Sequence, residues 1–355
     1  MLEELKQHKK FWNLFARSEE YDPILLDQYD RFHYSYAKHE DILNPFVSEY
    51  LMHNDYVIQY PEGKKFAVCL THDVDNIYAN SIQTLYRVGK LLRKAKIEEA
   101  LVRARLLGGR RNKKWSLFPG IQEIIDLERK YTAKSSFYFM AIDKNDDEFG
   151  EFNYNLMPFR DELKAIVKQG WEIGLHGSRK AYNNLSEMKK EKERLELILN
   201  ESVVGYRNHG LHFKMPNTWD YLAEAGFKYD STLGYVDMVG FRNGMCHPYY
   251  PYNMNTNETM SVLEIPLIVM DGTLFNNLQL DINAAWKITK ILIDVVRENK
   301  GVITINWHNT SFDNEFRVKW VELYKMILEY CFKENAWMTS GEEIWRYYKD
   351  TKFGK

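Results

Sequence analysis

Asp73 and Asp75 stand two residues apart in the string Thr71-His72-Asp73-Val74-Asp75, directly after the apolar run FAVCL at 66–70. In an extended chain, residues i and i+2 point to the same side. Both carboxylates can therefore face one pocket while Val74 faces away. Such a pair suits two roles, one carboxylate ligating a cation and the other taking a proton from water. Three more strings carry reactive side chains at the ends of apolar runs: GLHGS with His176, GYRNHGLHF with Arg207, His209 and His212, and Asn306-Trp307-His308-Asn309. Each alone reads equally well as a turn or a structural histidine. Four together point to one shared rim.

The elements that must present this rim follow from the pattern after residue 66. Short apolar runs at 66–70, 135–140, 171–175, 202–206, 263–270 and 301–307 alternate with stretches of helical periodicity at 161–170, 185–200 and 217–227. Alternating buried strands and helices predict a parallel α/β fold, and about seven such units favour a barrel, whose active sites gather at the C-terminal ends of the strands. Residues 1–60, with aromatics scattered among charges, read as a helical arm packed on a barrel spanning 61–355.

THDVD, GLHGS, GYRNHGLHF with the trailing KYDST, LEIPL and INWH occur in the order of the motifs of the polysaccharide deacetylases (NodB homology, carbohydrate esterase family 4), which the chain resembles over roughly residues 64–345. The resemblance implies a distorted (β/α)7 barrel that removes N-acetyl groups from aminosugars with one divalent metal, often zinc. It implies Asp73 as the base, Asp75 and His176 as metal ligands, Arg207 as the group that orients Asp73, and His308 as the acid that protonates the departing amine. One position departs from the pattern: the family's second motif carries another histidine four residues after the first, and here that residue is Lys180. His209, after the next strand, is the expected replacement ligand, with His247 as second candidate. Trp307, Tyr206, Arg242 and His247 are expected to line the substrate wall. Asp271 reads first as a turn cap and second as a partner of His308.

With the second histidine gone, a rival reading is a barrel that binds or scaffolds glycans without turnover. A third keeps hydrolysis but acts on another small amide. Composition narrows the remaining classes. Among 355 residues, 48 basic against 50 acidic side chains give a net charge of −2, and 45% are hydrophobic, an ordinary globular mixture. Three cysteines without a C-x-x-C pair argue against a disulfide scaffold or a thiolate zinc site. Phosphate-loop, dinucleotide and G-x-S-x-G strings are absent. The one strongly basic stretch, 84–114, holds eleven Lys and Arg against two Glu. No nucleic-acid-reading motif accompanies it, so it is read as an amphipathic helix that solvent covers or that meets an anionic membrane surface or an anionic glycan. The charged N-terminus and the lack of a long apolar run place the expected chain in the cytoplasm, at most peripheral to the inner membrane, where it would meet nucleotide- or lipid-linked saccharides of capsule or lipopolysaccharide assembly.

Overall fold

The computed structural model describes residues 1–38, 41–77, 81–93, 95–98, 100, 101, 104, 118–143, 155–312 and 317–350. Strand β1 (Ala67–Val74) is buried along its whole length. It pairs in parallel with β10 (Val302–Asn306) on one side, and on the other with β11 (Trp337–Thr339) at its start and β2 (Ser136–Phe139) at its end. From β2 the sheet continues in parallel through β3 (Glu172–Gly177), β4 (Gly205–Asn208), β5 (Tyr229–Asp230) and β8 (Leu263–Glu264). On the far side of β10 lies β9 (Leu267–Met270). A separate antiparallel pair, β6 (Tyr252–Asn253) and β7 (Glu258–Thr259), sits outside this sheet.

The two edge strands β8 and β9 are consecutive in the chain, with only Ile265 and Pro266 between them. A single segment, 263–270, thus pairs with β5 at its start and β10 at its end, and the sheet curls into a distorted barrel. Pro266 has no N–H to offer a ladder, so the change of partner falls where a ladder bond is impossible. The expected barrel is present, and its sixth stave is split.

Helices fill the crossovers. Helices α1 (Leu2–Gln7), α2 (Lys9–Phe15) and α3 (Phe46–His53) form the arm, followed by α4 (Ser81–Arg93), α5 (Phe118–Arg129), α6 (Arg160–Lys168), α7 (Leu185–Leu199), α8 (Asn217–Glu224), α9 (Ile282–Glu298), α10 (Val318–Lys333) and α11 (Gly341–Tyr348). Their ends follow local chemistry. The Asn184 side chain caps α7 by accepting from Glu187 N, and Asp281 caps α9 by accepting from Ala284 N. Helix α7 stops at Asn200, which takes a left-handed φ of 60°.

Register sets which side chains enter the barrel. The rows Asp73–Tyr138–Gly174 and His176–Arg207 align across neighbouring strands. A Cβ on Gly174 would sit 2.5 Å from the Tyr138 ring, so glycine there makes room for a tyrosine inside the barrel.

The arm joins the body through backbone and charge. Val47 N and Ser48 N donate to Gly244 O, and Phe241 N donates to Ile42 O. Arg17, Glu20 and Arg242 form a fully buried ion triad in which Glu20 accepts from both guanidinium groups. Of the basic stretch at 84–114, α4 and a few residues beyond it are described, with Leu85, Leu92, Ile97 and Leu101 exposed. Residues 94, 99, 102, 103 and 105–114 lie outside the described residues. Among the described residues no helix is long and apolar enough to cross a membrane.

Candidate metal centre

Asp75, His176 and His209 come together at the C-terminal ends of β1, β3 and β4, each offering one ligand atom, all within 4.8 Å of one another. Asp75 Oδ1 lies 3.3 Å from His176 Nε2 and 3.4 Å from His209 Nδ1, and those two nitrogens are 3.3 Å apart. The tautomer of His176 is set from behind: its Nδ1 bonds the Arg207 carbonyl at 3.0 Å, which leaves the Nε2 lone pair aimed at the cluster. Asp75 Oδ1 is buried and receives no hydrogen bond of proper geometry. An orphaned carboxylate oxygen between two imidazole nitrogens is what a cation would satisfy. One oxygen and two nitrogens form a donor set that suits zinc with an open position. The replacement ligand expected in place of Lys180 is therefore positioned at the cluster.

Beside this cluster stand the two proton-handling candidates. Asp73 Oδ2 accepts from Asn306 Nδ2 at 2.8 Å, while Asp73 N donates to Asn306 Oδ1 at 3.2 Å. Arg207 Nη1 reaches Asp73 Oδ1 at 3.5 Å, with its other end held by Ser231 Oγ at 2.8 Å and its plane over the Tyr138 ring. His308 Nδ1 lies 2.5 Å from Asp271 Oδ1, and its Nε2 lies 3.5 Å from Asp75 Oδ2. Burial alone would push the His308 imidazole down. The carboxylates of Asp271 and then Asp75 outweigh it and raise it to about 10. Burial likewise opposes ionisation of Asp75, but His308, then His176 and His209, hold it well below the usual carboxylate range. Asp271 does more than cap its turn. Its Oδ1 accepts from Gly272 N, and its Oδ2 accepts from both the backbone N–H of His308 and the Ser311 hydroxyl, so it fixes the histidine as well as the turn.

The expected substrate wall is corrected by burial. Trp307 is completely buried on the outer face of the sheet, packed on Phe275 and Tyr324. Tyr206 is equally buried, its ring on Phe227 and its hydroxyl donating to Asn208 Oδ1. Arg242 uses its guanidinium on Glu20 and the Gly234 carbonyl. His247 is also fully buried, with Nδ1 on Ser48 Oγ and Nε2 on the carbonyl of Lys300, at the opposite end of β10 from His308. Burial pulls it down to about 4. It is a neutral structural histidine, far from the cluster.

Alternation explains two of these results at once. If Arg207 and His308 face inward, their neighbours Tyr206 and Trp307 must face outward. The same rule turns His72 away from Asp73: it bonds the Trp307 carbonyl at 2.7 Å and Glu128 Oε1 at 2.9 Å behind the sheet. It also points to the residue that the sequence reading passed over. Asn306 precedes His308 by two and so shares its side, which brings its amide to Asp73.

Neither a protein-family model nor a curated protein matches this sequence. Solved structures do match it. A protein from Mycobacterium smegmatis, described as a polysaccharide deacetylase, is 19% identical with a TM-score of 0.54, over 82% of this chain and 92% of its own. The Puue allantoinase is 15% identical with a TM-score of 0.56, over 91% of this chain and 98% of its own. This chain has the fold of those proteins, a distorted parallel α/β barrel.

Proposed function

We propose that the chain is a metal-dependent hydrolase that removes an N-acetyl group from an aminosugar in a saccharide or saccharide precursor. The observation that carries this reading is the convergence of Asp75, His176 and His209 on one point, with an unsatisfied carboxylate oxygen between the two imidazoles. Those three residues would hold a divalent ion, most readily zinc. When bound, the ion would supply Lewis acidity toward the acyl oxygen and toward water.

The remaining work belongs to the chain's own groups. Asp73, held in place by Asn306 and Arg207, takes the proton of the attacking water. His308 can turn only Nε2 toward the substrate and the cluster, because Nδ1 is bonded to Asp271. That nitrogen gives its proton to the amine as the C–N bond breaks, and the products are acetate and the free aminosugar. The Asp271 carboxylate balances the imidazolium before the proton leaves, a role that also fixes the ring's direction.

The test is acetate release by zinc-loaded protein from N-acetylglucosamine oligomers and from nucleotide-linked N-acetyl sugars, with hydrolytic ring opening of allantoin, followed as loss of allantoin, as the comparison amide reaction. Release from an N-acetyl sugar that disappears in Asp73→Asn, while zinc stays bound, is the expected outcome. Zinc uptake without turnover on any sugar would instead support a glycan-binding barrel. Turnover of allantoin alone would move the reading to a different amide.

A further inference from the structure

The third ligand comes from a strained turn. His209 opens the short turn His209–Leu211, in which Gly210 has φ +64° and Leu211, a residue with a Cβ, has φ +54°. A leucine in the left-handed region costs about 1 kcal/mol or more and persists only where its surroundings enforce it. On the strand side, Asn208 Nδ2 holds the His209 carbonyl at 3.1 Å. On the other side, the support is provided by the N-terminal arm.

Residues 26–32 of the arm form a small closed loop. Leu26 and Phe32 form an antiparallel bridge, and Asp27 accepts from Tyr29 N at 2.8 Å, Arg31 N at 3.0 Å and Arg31 Nε at 2.9 Å. The tip of this loop touches both ligand-bearing segments. Tyr29 stacks face to face on His212, with ring centroids 5.0 Å apart and 10° between planes. Arg31 Nη1 donates to the Gly210 carbonyl at 3.4 Å. Asp30 Oδ2 accepts from Tyr182 Oη at 2.8 Å, in the segment that follows His176. His212 is itself tied to that segment through the Arg179 carbonyl at 3.2 Å.

We infer that residues 26–32 of the arm are a clamp that positions His209 and thereby sets the metal affinity of the site, with Tyr29 and Asp30 as its two positioning residues. This inference rests on the metal reading above. Neither residue touches the ligand atoms: Tyr29 acts through His212, beside the turn that carries His209, and Asp30 acts through Tyr182, in the segment that follows His176 and to which His212 is tied. In a chain whose second motif ends in Lys180, a ligand borrowed from the next strand needs such support.

The test measures zinc and cobalt affinity of the full chain by competition with a chromophoric chelator. Tyr29→Ala and Asp30→Ala should each weaken binding about tenfold or more, the range typical when a group supporting a ligand is removed, and should alter the visible spectrum of the cobalt form. Tyr29→Phe keeps the stacked ring and should restore native affinity, and Tyr182→Phe, which deletes one hydroxyl, should reproduce part of the Asp30→Ala loss. In a His209→Ala background, Tyr29→Ala should cost nothing further. Native affinity in a Tyr29→Ala protein that unfolds at the native midpoint would overturn the clamp, as would an equal loss in the His209→Ala background. A native chain that takes up no zinc would end the metal reading itself, and the clamp with it.

Discussion

Asn306 holds Asp73 at two atoms, its amide nitrogen on the carboxylate at 2.8 Å and its amide oxygen on the backbone N–H at 3.2 Å. This double grip comes from β10, directly across the ladder from β1, so the proposed base is fixed by the same register that builds the barrel.

Replacing Asn306 with alanine is expected to reduce turnover about 10- to 100-fold, since a hydrogen bond to a charged group contributes about 1.5–3 kcal/mol. Zinc content should be unchanged, because Asn306 touches none of the three ligands. Steady-state kinetics on an N-acetyl sugar together with metal analysis of the purified protein checks both halves. Loss of zinc in this variant would contradict the assignment.

Removing a ligand should have the opposite signature. His209→Ala and His176→Ala are each expected to lower bound zinc from one per chain to a small fraction, whereas His247→Gln, at the other end of β10, should keep it. Elemental analysis after dialysis against a weak chelator separates the three.

Glu172 gives a prediction for stability against pH. It is buried in the barrel, accepting from Ser136, Tyr229 and Glu342 N. Burial, and then the nearby Glu342 carboxylate, push its carboxyl up to about 7 from an ordinary 4.5. A carboxyl raised in the folded state favours folding while protonated, so its contribution is complete below pH about 4.5 and is lost as pH rises toward 7. The loss amounts to about 3 kcal/mol at about 1.4 kcal/mol per pH unit. Denaturant unfolding of Glu172→Gln between pH 5 and 8 should lack this slope. An identical slope in native and variant protein would assign it to other groups.

Gly174 makes room for Tyr138, and an added methyl would meet both that ring and the Gly205 carbonyl. Gly174→Ala is expected to cost about 1–3 kcal/mol from overpacking, or more where two strand backbones resist moving. The unfolding midpoint reports this directly, and a Tyr138→Leu background should relieve most of it.

The reading of the 84–114 stretch as a contact for anionic membranes also has a measurable outcome. Leu85 and Leu92 are exposed and seven residues apart on α4, hence on one helical face. Changing both to serine should reduce flotation with vesicles containing phosphatidylglycerol at low salt, while acetate release from a soluble substrate stays the same. Equal flotation of native and variant protein would dispose of the contact.

How far the sequence could be read depended on whether the controlling forces were local. The helices over 161–170, 185–200 and 217–227 carry their own stop and start signals, and they appear within one to three residues of the expected bounds. Strand alternation, a local rule, put Asp73 and Asp75 on one side, whereas His176 and His209 were named through the resemblance to the deacetylase motifs; the structure brings Asp75, His176 and His209 together. The same rule, extended to 206–208 and 306–308, would have placed Tyr206 and Trp307 behind the sheet and brought Asn306 forward. Arg242 and His247 were not legible in this way. Their burial is decided by Glu20 and Ser48, some two hundred residues away in the chain, and no local pattern records such a meeting. Asp271 was ambiguous for a related reason, since a carboxylate after a strand looks the same whether it caps a turn, steadies a histidine, or does both.

The Arg17–Glu20–Arg242 triad has a consequence for how this chain can be cut or recombined. A chain that kept the arm but lacked the Glu20 carboxylate would hold Arg242 in a dry pocket without the anion that answers it. An uncompensated buried charge of this kind costs several kcal/mol. The first sixty residues are in this respect a counter-ion for the remainder, so an arm grafted from another sequence should destabilise the body unless it brings a carboxylate to position 20 or Arg242 is neutralised at the same time.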